Sequence, residues 1–485
     1  MADQRLKELR GKSRREFLRW SGAVAACLGL ERSRFLNVLG DTAGSAAADT
    51  AACRSTNLHI HVIDGGGGLS NWTQVFPFPK VIGATNPAYS HYALGKGVAG
   101  VGFDKPYTHA PDSPWQTNSK WKISAFVAGA SQTHTPGPDG GPGPASAITI
   151  GANRMLASAA AIQQANPTLL PVLAVNANTG FAEGPYGTAP GAPPIATVGA
   201  ARQLVDLFNS AASRALLQPS ANAALSEAYY KAFLGLNAAA GSSTTAKQYA
   251  AGKVSFNLLS RNLAAQLTPT AAEQALFGLP TTLPNDKFSA ALQDMSNAMI
   301  TAVKAFSLGI TSMLVVPGFM NDPHPMFVQG DARATAVAGA IGKMLNGLHD
   351  FAKSKADPGC SAKTLADSLV FSVSGDTYKE PFIRNDGGQG AWNDGTPNGS
   401  NVLYVMGGGH IKTGWFGDID PKAGAVGWDP GTGAAGGSYD NRAAELGASA
   451  SAALLFAIAK GDMRRVRDFY SGKPIDGVVN LNVTG

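Results

Sequence analysis

Short apolar runs that stop abruptly at polar or glycine-rich segments recur along the chain, and helix-length segments lie between them. Asn57 to Ile63 (NLHIHVI) stops at Asp64 and four glycines, and Leu169 to Val175, Ser312 to Val316, Leu369 to Ser374 and Val402 to Met406 have the same form. Continuous apolar runs of this length suit strands buried on both faces, because a half-solvated strand would alternate apolar with polar. Met155 to Gln164, Lys287 to Phe306, Ala332 to Lys353 and Arg442 to Lys460 carry helical spacing. Residues 197 to 278 are rich in Ala and Leu, and one helix there opens with the capping box Thr270-Ala271-Ala272-Glu273. The alternation predicts an α/β fold with a central, mostly parallel sheet flanked by helices and a helical insertion over 197 to 308. Residues 76 to 148, rich in Pro, Gly, Ser and Trp, read as loop with one strand at Trp121 to Val127.

The N-terminus reads as an address. Ser13-Arg14-Arg15-Glu16-Phe17-Leu18 resembles a twin-arginine export signal, and a short apolar run from Trp20 to Leu30 and an Ala-rich tail follow in the expected order. Residues 1 to 45 are therefore expected to be signal and linker, with one domain over 55 to 485. The resemblance implies that Arg14 and Arg15 are read by the twin-arginine translocase and that the product is a periplasmic or secreted bacterial protein. Val24-Ala25-Ala26-Cys27 is similar to a lipoprotein box, but the apolar run before it is short, so lipid anchoring is the less favoured outcome. No other window approaches the ~18 apolar residues of a membrane span.

Setting the leader aside changes the charge argument. Residues 1 to 35 hold nine Lys/Arg against four Asp/Glu, a net +5 of the whole chain's +6. The remainder is near neutral, so no nucleic-acid partner is expected. Cysteine is sparse: with Cys27 in the leader, Cys53 and Cys360 remain, a disulfide between them is allowed in an oxidising compartment, and no C-x-x-C metal pattern exists. The oligomeric state is not legible.

Six residues at or after strand ends carry the candidate chemistry: Asp64, Asp322, His324, Asp376, Asp394 and His410. Open α/β sheets place ligands at such positions, and carboxylates with imidazoles suit Zn, Mn, Mg or Ca. Two such ions could clamp a transferring phosphoryl or sulfuryl group.

Several motifs together resemble a family of exported, sulfatase-like proteins defined as a domain of unknown function, similar to the alkaline-phosphatase superfamily. Gly67-Gly68-Leu69-Ser70 is similar to the family's Gly-Gly-x-Ser loop, although Thr73 and Phe76 stand where two aspartates would follow. Gly318-Phe319 through Asp322-Pro323-His324 resembles its Gly-Gly-Phe-Asp-Thr-His, with two extra residues. Ser374-Gly375-Asp376 through Pro381 resembles a Ser-Glu-Phe-Gly-Arg-Thr-Pro strand end, with Asp376 for Glu and Lys379 for Arg. Asn393-Asp394-Gly395 falls at its Asp-His-Gly, and Gly407-Gly408-Gly409-His410 and Gly472 to Gly477 fit its later segments. The resemblance implies a divalent-metal hydrolase of phosphate or sulfate esters, with Asp322 and His324 on one ion.

No nucleophile stands out. Ser70, Thr73 and Thr179 follow early strands, but none lies in a diagnostic motif. Two rival readings stay open. His59-Ile60-His61 has the H-x-H spacing of barrel-type amidohydrolases. Alternatively, Asn393 at a ligand position and the missing opening acids fit a degenerate, non-catalytic envelope binding or assembly protein of the same fold.

Overall fold

The computed structural model describes residues 53–65, 67–73, 75–76, 78, 120–130, 149–150, 153–164, 166, 168, 170–175, 189, 191–192, 196–198, 201–203, 263–279, 286–320, 331–375, 378, 380–383, 392–393, 400–420, 424–439 and 441–481. Arg14, Arg15 and the expected leader lie outside the described residues.

Among the described residues, eight strands form one sheet: β1 (Leu58–Asp64), β2 (Ile123–Ala130), β3 (Leu170–Val175), β4 (Ala196–Val198), β5 (Thr311–Pro317), β6 (Leu369–Gly375), β7 (Ser400–Gly407) and β8 (Gly414–Phe416). Their spatial order is β8-β2-β7-β6-β1-β5-β3-β4. Seven of these strands run the same way, and β7 is reversed, antiparallel to both β6 and β2. The sheet is open, so the α/β expectation holds in its coarse form and a closed eight-stranded barrel does not.

The helices used below are α1 (Ser70–Thr73), α2 (Met155–Gln163), α3 (Ala271–Leu276), α4 (Lys287–Ser307), α5 (Asp331–Lys353) and α6 (Ala443–Ile458). All seven residues of β1 are buried, as the unbroken apolar run requires of a strand covered on both sides. Its side chains alternate: Leu58, Ile60, Val62 and Asp64 share one face, and His59, His61 and Ile63 share the other. On the Ile60 face, the ring of Trp72 in α1 lies 6.0 Å from Phe371 and 6.2 Å from Phe319. Trp121, also against Phe371, donates its indole N–H to Leu345 of α5 at 2.8 Å. On the His59 face, Asn57 ties α2 to α6, donating to the Ala457 carbonyl at 2.8 Å while accepting from Gln163 at 2.7 Å.

Local signals explain the helix ends. Asp286 caps α4 by accepting from the Ser289 amide at 3.0 Å, and Gly309, at φ +70°, follows its last turn in the left-handed region. The capping box of α3 forms as read: Glu273 N–H donates to Thr270 Oγ1 at 3.3 Å, and the Glu273 carboxylate accepts from the Thr270 amide at 2.8 Å. Ile341, Met344, Leu345 and Leu348 of α5 are fully buried, each contributing about 1.5–3 kcal/mol of burial.

Cys53 and Cys360 are joined in a disulfide, and the neighbouring Arg54 is paired with buried Asp357. Lys460, just past α6, donates to the Arg54 carbonyl at 2.7 Å, so this start of the domain is held from two sides.

Two expectations shift. The strand expected at Trp121 to Val127 runs from Ile123 to Ala130 as an inner strand of the sheet. Residues 197 and 198, expected in the helical insertion, belong to edge strand β4, and 204–262 lie outside the described residues. Among the described residues, no helix is long and apolar enough to cross a membrane.

Candidate functional site

Asp64 ends β1 at the carboxyl edge shared by the seven co-directional strands, and it is fully buried. Its neighbours there are glycines. A Cβ on Gly318, just past β5, would stand 2.3 Å from Asp64 Oδ1, and one on Gly375 of β6 would stand 2.7 Å from Asp64 Cβ. Only glycine lets both backbones close on the carboxylate. Three hydrogen bonds set its position: the Phe319 amide donates to Asp64 Oδ1, the Gly65 amide to the Phe319 carbonyl at 2.9 Å, and the Gly318 amide to the Ile63 carbonyl at 2.7 Å.

Oδ2 of Asp64 has no hydrogen-bond partner among the described residues. Burial pushes the acid well above the ordinary carboxylate range, opposed by the Phe319 amide and the Trp72 indole N–H. The indole faces the carboxyl without reaching hydrogen-bond geometry and so acts on it as a nearby dipole. The Tyr404 hydroxyl, also buried and without a partner among the described residues, is pushed up by burial, by Tyr378 and by the charge of Asp64.

The opposite face of the same two strands carries a polar ladder. His59 and His61 stand against Val370 and Ser372 in the β1–β6 register, and Ile63 against Ser374. His59 Nε2 and Ser372 Oγ are 2.7 Å apart, Ser372 Oγ and His61 Nδ1 2.7 Å, and His61 Nε2 and Ser374 Oγ 3.0 Å. Burial depresses both imidazoles, His59 to about 3 and His61 well below its ordinary value with His59 adding repulsion. Both are therefore neutral at ordinary pH. The H-x-H pair engages serine hydroxyls, and the open sheet removes the barrel context that the amidohydrolase reading needs.

The carboxyl edge gathers some candidates by connectivity. The chain leaving β5 passes Asp64 at Phe319, and Met320, with Sδ where a Cβ on Gly65 would come to 2.8 Å, lies two positions before Asp322. Asp322 and His324 themselves lie outside the described residues, as do Asp376 and Asp394. The flanks of the last two are paired, with Glu380 opposite Asn393. Asn401, at the start of β7, donates to the Gly375 carbonyl and so joins the same edge.

His410 does not join them. Grouping it with Asp64 rests on the premise that every strand end faces one crevice. Because β7 runs backwards, its end at Gly407 lies opposite Val370, at the start of β6, whereas Asp64 lies opposite Gly375, at the end of β6. His410 therefore sits at the amino edge, against Phe456 and beside Gly461, with its imidazole pushed down by burial and by Lys460 and Lys363. Among the described residues, no three His, Cys, Asp or Glu side chains are grouped to hold a metal.

Thr73, an early nucleophile candidate, is buried and donates to the Ser70 carbonyl at 2.8 Å, a helix-internal bond. Sequence reasoning misses Ser372 and Ser374, although a signal exists: S-x-S in one apolar strand and H-x-H in another are matched polar pairs at the strand period. In comparisons with known proteins, no family model, curated protein or solved structure matches this chain.

Proposed function

We propose that the chain is an exported, hydrolase-like protein of the alkaline-phosphatase-like type, acting on phosphate or sulfate esters with a divalent metal at the carboxyl edge of the sheet. The observation that carries the reading is Asp64: a buried carboxylate at the end of a central strand, flanked by two obligatory glycines, with one oxygen committed and one without a partner among the described residues. That second oxygen fits a ligand position, since a buried carboxylate gains most from a nearby cation. Asp322 and His324, carried by the chain leaving β5, would complete one ion's set, and Asp376 and Asp394 a second. Oxygen-rich donors suit Mg, Mn or Ca, and the imidazole would favour Zn. When bound, such a metal supplies Lewis-acid stabilisation of a transferring phosphoryl or sulfuryl group. The residues of this chain would hold the ion and exclude water around Asp64.

Export through the twin-arginine translocase to the periplasm or beyond belongs to the same reading. It is supported by the Arg14-Arg15 motif and by the Cys53–Cys360 disulfide, a bond that persists in oxidising compartments.

The test is metal content of the purified chain combined with a panel of phosphate and sulfate esters. Near-stoichiometric divalent metal that Asp64→Ala and Asp322→Ala both lower, with metal-dependent turnover of an ester, supports the reading. Metal-free protein that turns over none of the panel refutes it. Replacing Arg14 and Arg15 by Lys should trap the precursor in the cytoplasm, and normal export of that variant would refute the signal.

A further inference from the structure

We propose that Ser374 is a nucleophile and His61 its general base, a pair set to attack a carboxylic ester and held in register by Ser372 and His59. The inference does not depend on the metal reading. Ser374 Oγ is 3.0 Å from His61 Nε2, within reach for direct proton transfer. The other ring nitrogen of His61 meets Ser372 Oγ at 2.7 Å, which fixes the ring orientation, and Ser372 is fixed in turn by His59 at 2.7 Å. A base within reach of a hydroxyl and oriented by a third group is the general form of an activated serine.

Burial gives the chain of four a direction. His59, His61 and Ser372 are fully buried, whereas Ser374 is 9% exposed, one residue from the end of β6 at the carboxyl edge. The reactive atom is thus the least deeply buried of the four and the nearest to the carboxyl edge, and the orienting groups lie deeper. None of the four is charged, which disfavours a phosphate dianion and suits a neutral carboxylic ester. When His61 Nδ1–H donates to Ser372, Nε2 is free to accept the Ser374 proton. Oγ then bonds to the acyl carbon, the C–O bond to the alcohol breaks, and the alcohol leaves with the proton from His61. Water repeats the sequence: His61 takes its proton, hydroxide attacks the acyl-serine, and Ser374 recovers its hydrogen as the carboxylic acid departs.

A fluorophosphonate probe tests this on the purified full chain in the presence of EDTA. Ser374 Oγ should bond to phosphorus as fluoride leaves with the hydroxyl proton, adding the probe mass less HF to the Ser374 peptide. Labelling there should vanish in Ser374→Ala, fall at least about tenfold in Ser372→Ala, and recover in Ser372→Thr, which restores the hydroxyl. That recovery separates a positioning role from simple loss of packing. A second probe needs no ester: the thiol of Ser374→Cys, with iodide as leaving group, should react with iodoacetamide at least about tenfold faster than free cysteine at neutral pH. An unlabelled Ser374 peptide in wild type, or a Ser372→Ala variant labelled at the wild-type rate, would overturn the proposal. So would a Ser374→Cys variant whose new thiol reacts no faster than free cysteine. Because metal is absent throughout, these outcomes are independent of whether the metal reading stands.

Discussion

The carboxylate of Asp64 accepts the backbone N–H of Phe319 at 2.5 Å, so a side chain at the end of β1 holds the main chain that leaves β5. One oxygen is used in building the edge and the other is left over. This division makes the residue both structural and a ligand candidate, and separate measurements can read the two roles.

The titration of Asp64 should be visible in stability. Its acid is raised in the folded state above the ordinary 3.8, so between those two values the native chain holds a proton that the unfolded chain has lost. Metal-free stability should therefore fall as pH rises from about 3.8 through the folded value, then level off. Asp64→Asn should flatten that limb in urea titrations run with EDTA. Saturating divalent metal should offset the loss in wild type alone, and identical limbs in the two proteins would contradict the assignment.

His59 works in the opposite sense. Its imidazole falls from 6.5 to about 3 in the folded chain, so the unfolded state binds the extra proton between those values. Stability should decline as pH drops from about 6.5 toward 3, with His61 and His410 contributing in the same direction. His59→Leu should make the acid limb shallower. Since the Asp64 and His59 effects oppose each other over part of this range, the comparison must be of slopes between each variant and wild type.

Gly318→Ala should destabilise the fold by about 1–3 kcal/mol or more, because its Cβ would meet Asp64 Oδ1 at 2.3 Å and Val62 Cγ1 at 2.6 Å. Gly436→Ala is the control: nothing lies within 4 Å of its Cβ position, and its φ is outside the left-handed region. Thermal melts of the two should separate clearly, and equal melting points would show that the strand ends are looser than described.

Removing the Cys53–Cys360 bond should cost about 2–5 kcal/mol, since it closes a long stretch of chain in the unfolded state. The reduced wild type and a Cys53→Ser, Cys360→Ser double variant should melt alike, and both should lie below the oxidised wild type. A reductant effect that persists in the double variant would place the sensitivity elsewhere.

Much of the sheet is legible because its strands are covered on both faces and so appear as solid apolar runs. Leu369 to Ser374 and Val402 to Met406 fall inside β6 and β7. Direction is not legible: VLYVM buries the same side chains whichever way it runs, so the reversal of β7 puts His410 at the edge opposite to the one expected. The glycines around Asp64 are visible as turn residues, but their role depends on three strand ends meeting, which no single segment encodes. The His–Ser ladder needs the register of β1 on β6, a long-range pairing, although both halves can be read separately.

The disulfide has a consequence for proteolysis of the folded chain. Its two cysteines are 307 positions apart and enclose five of the eight sheet strands, from β1 to β5, in a covalent ring. A single cut anywhere inside that ring opens the loop without releasing a fragment. The two halves stay tethered at the amino edge, so a nicked molecule can re-form its sheet as a first-order event, at a rate that dilution does not slow.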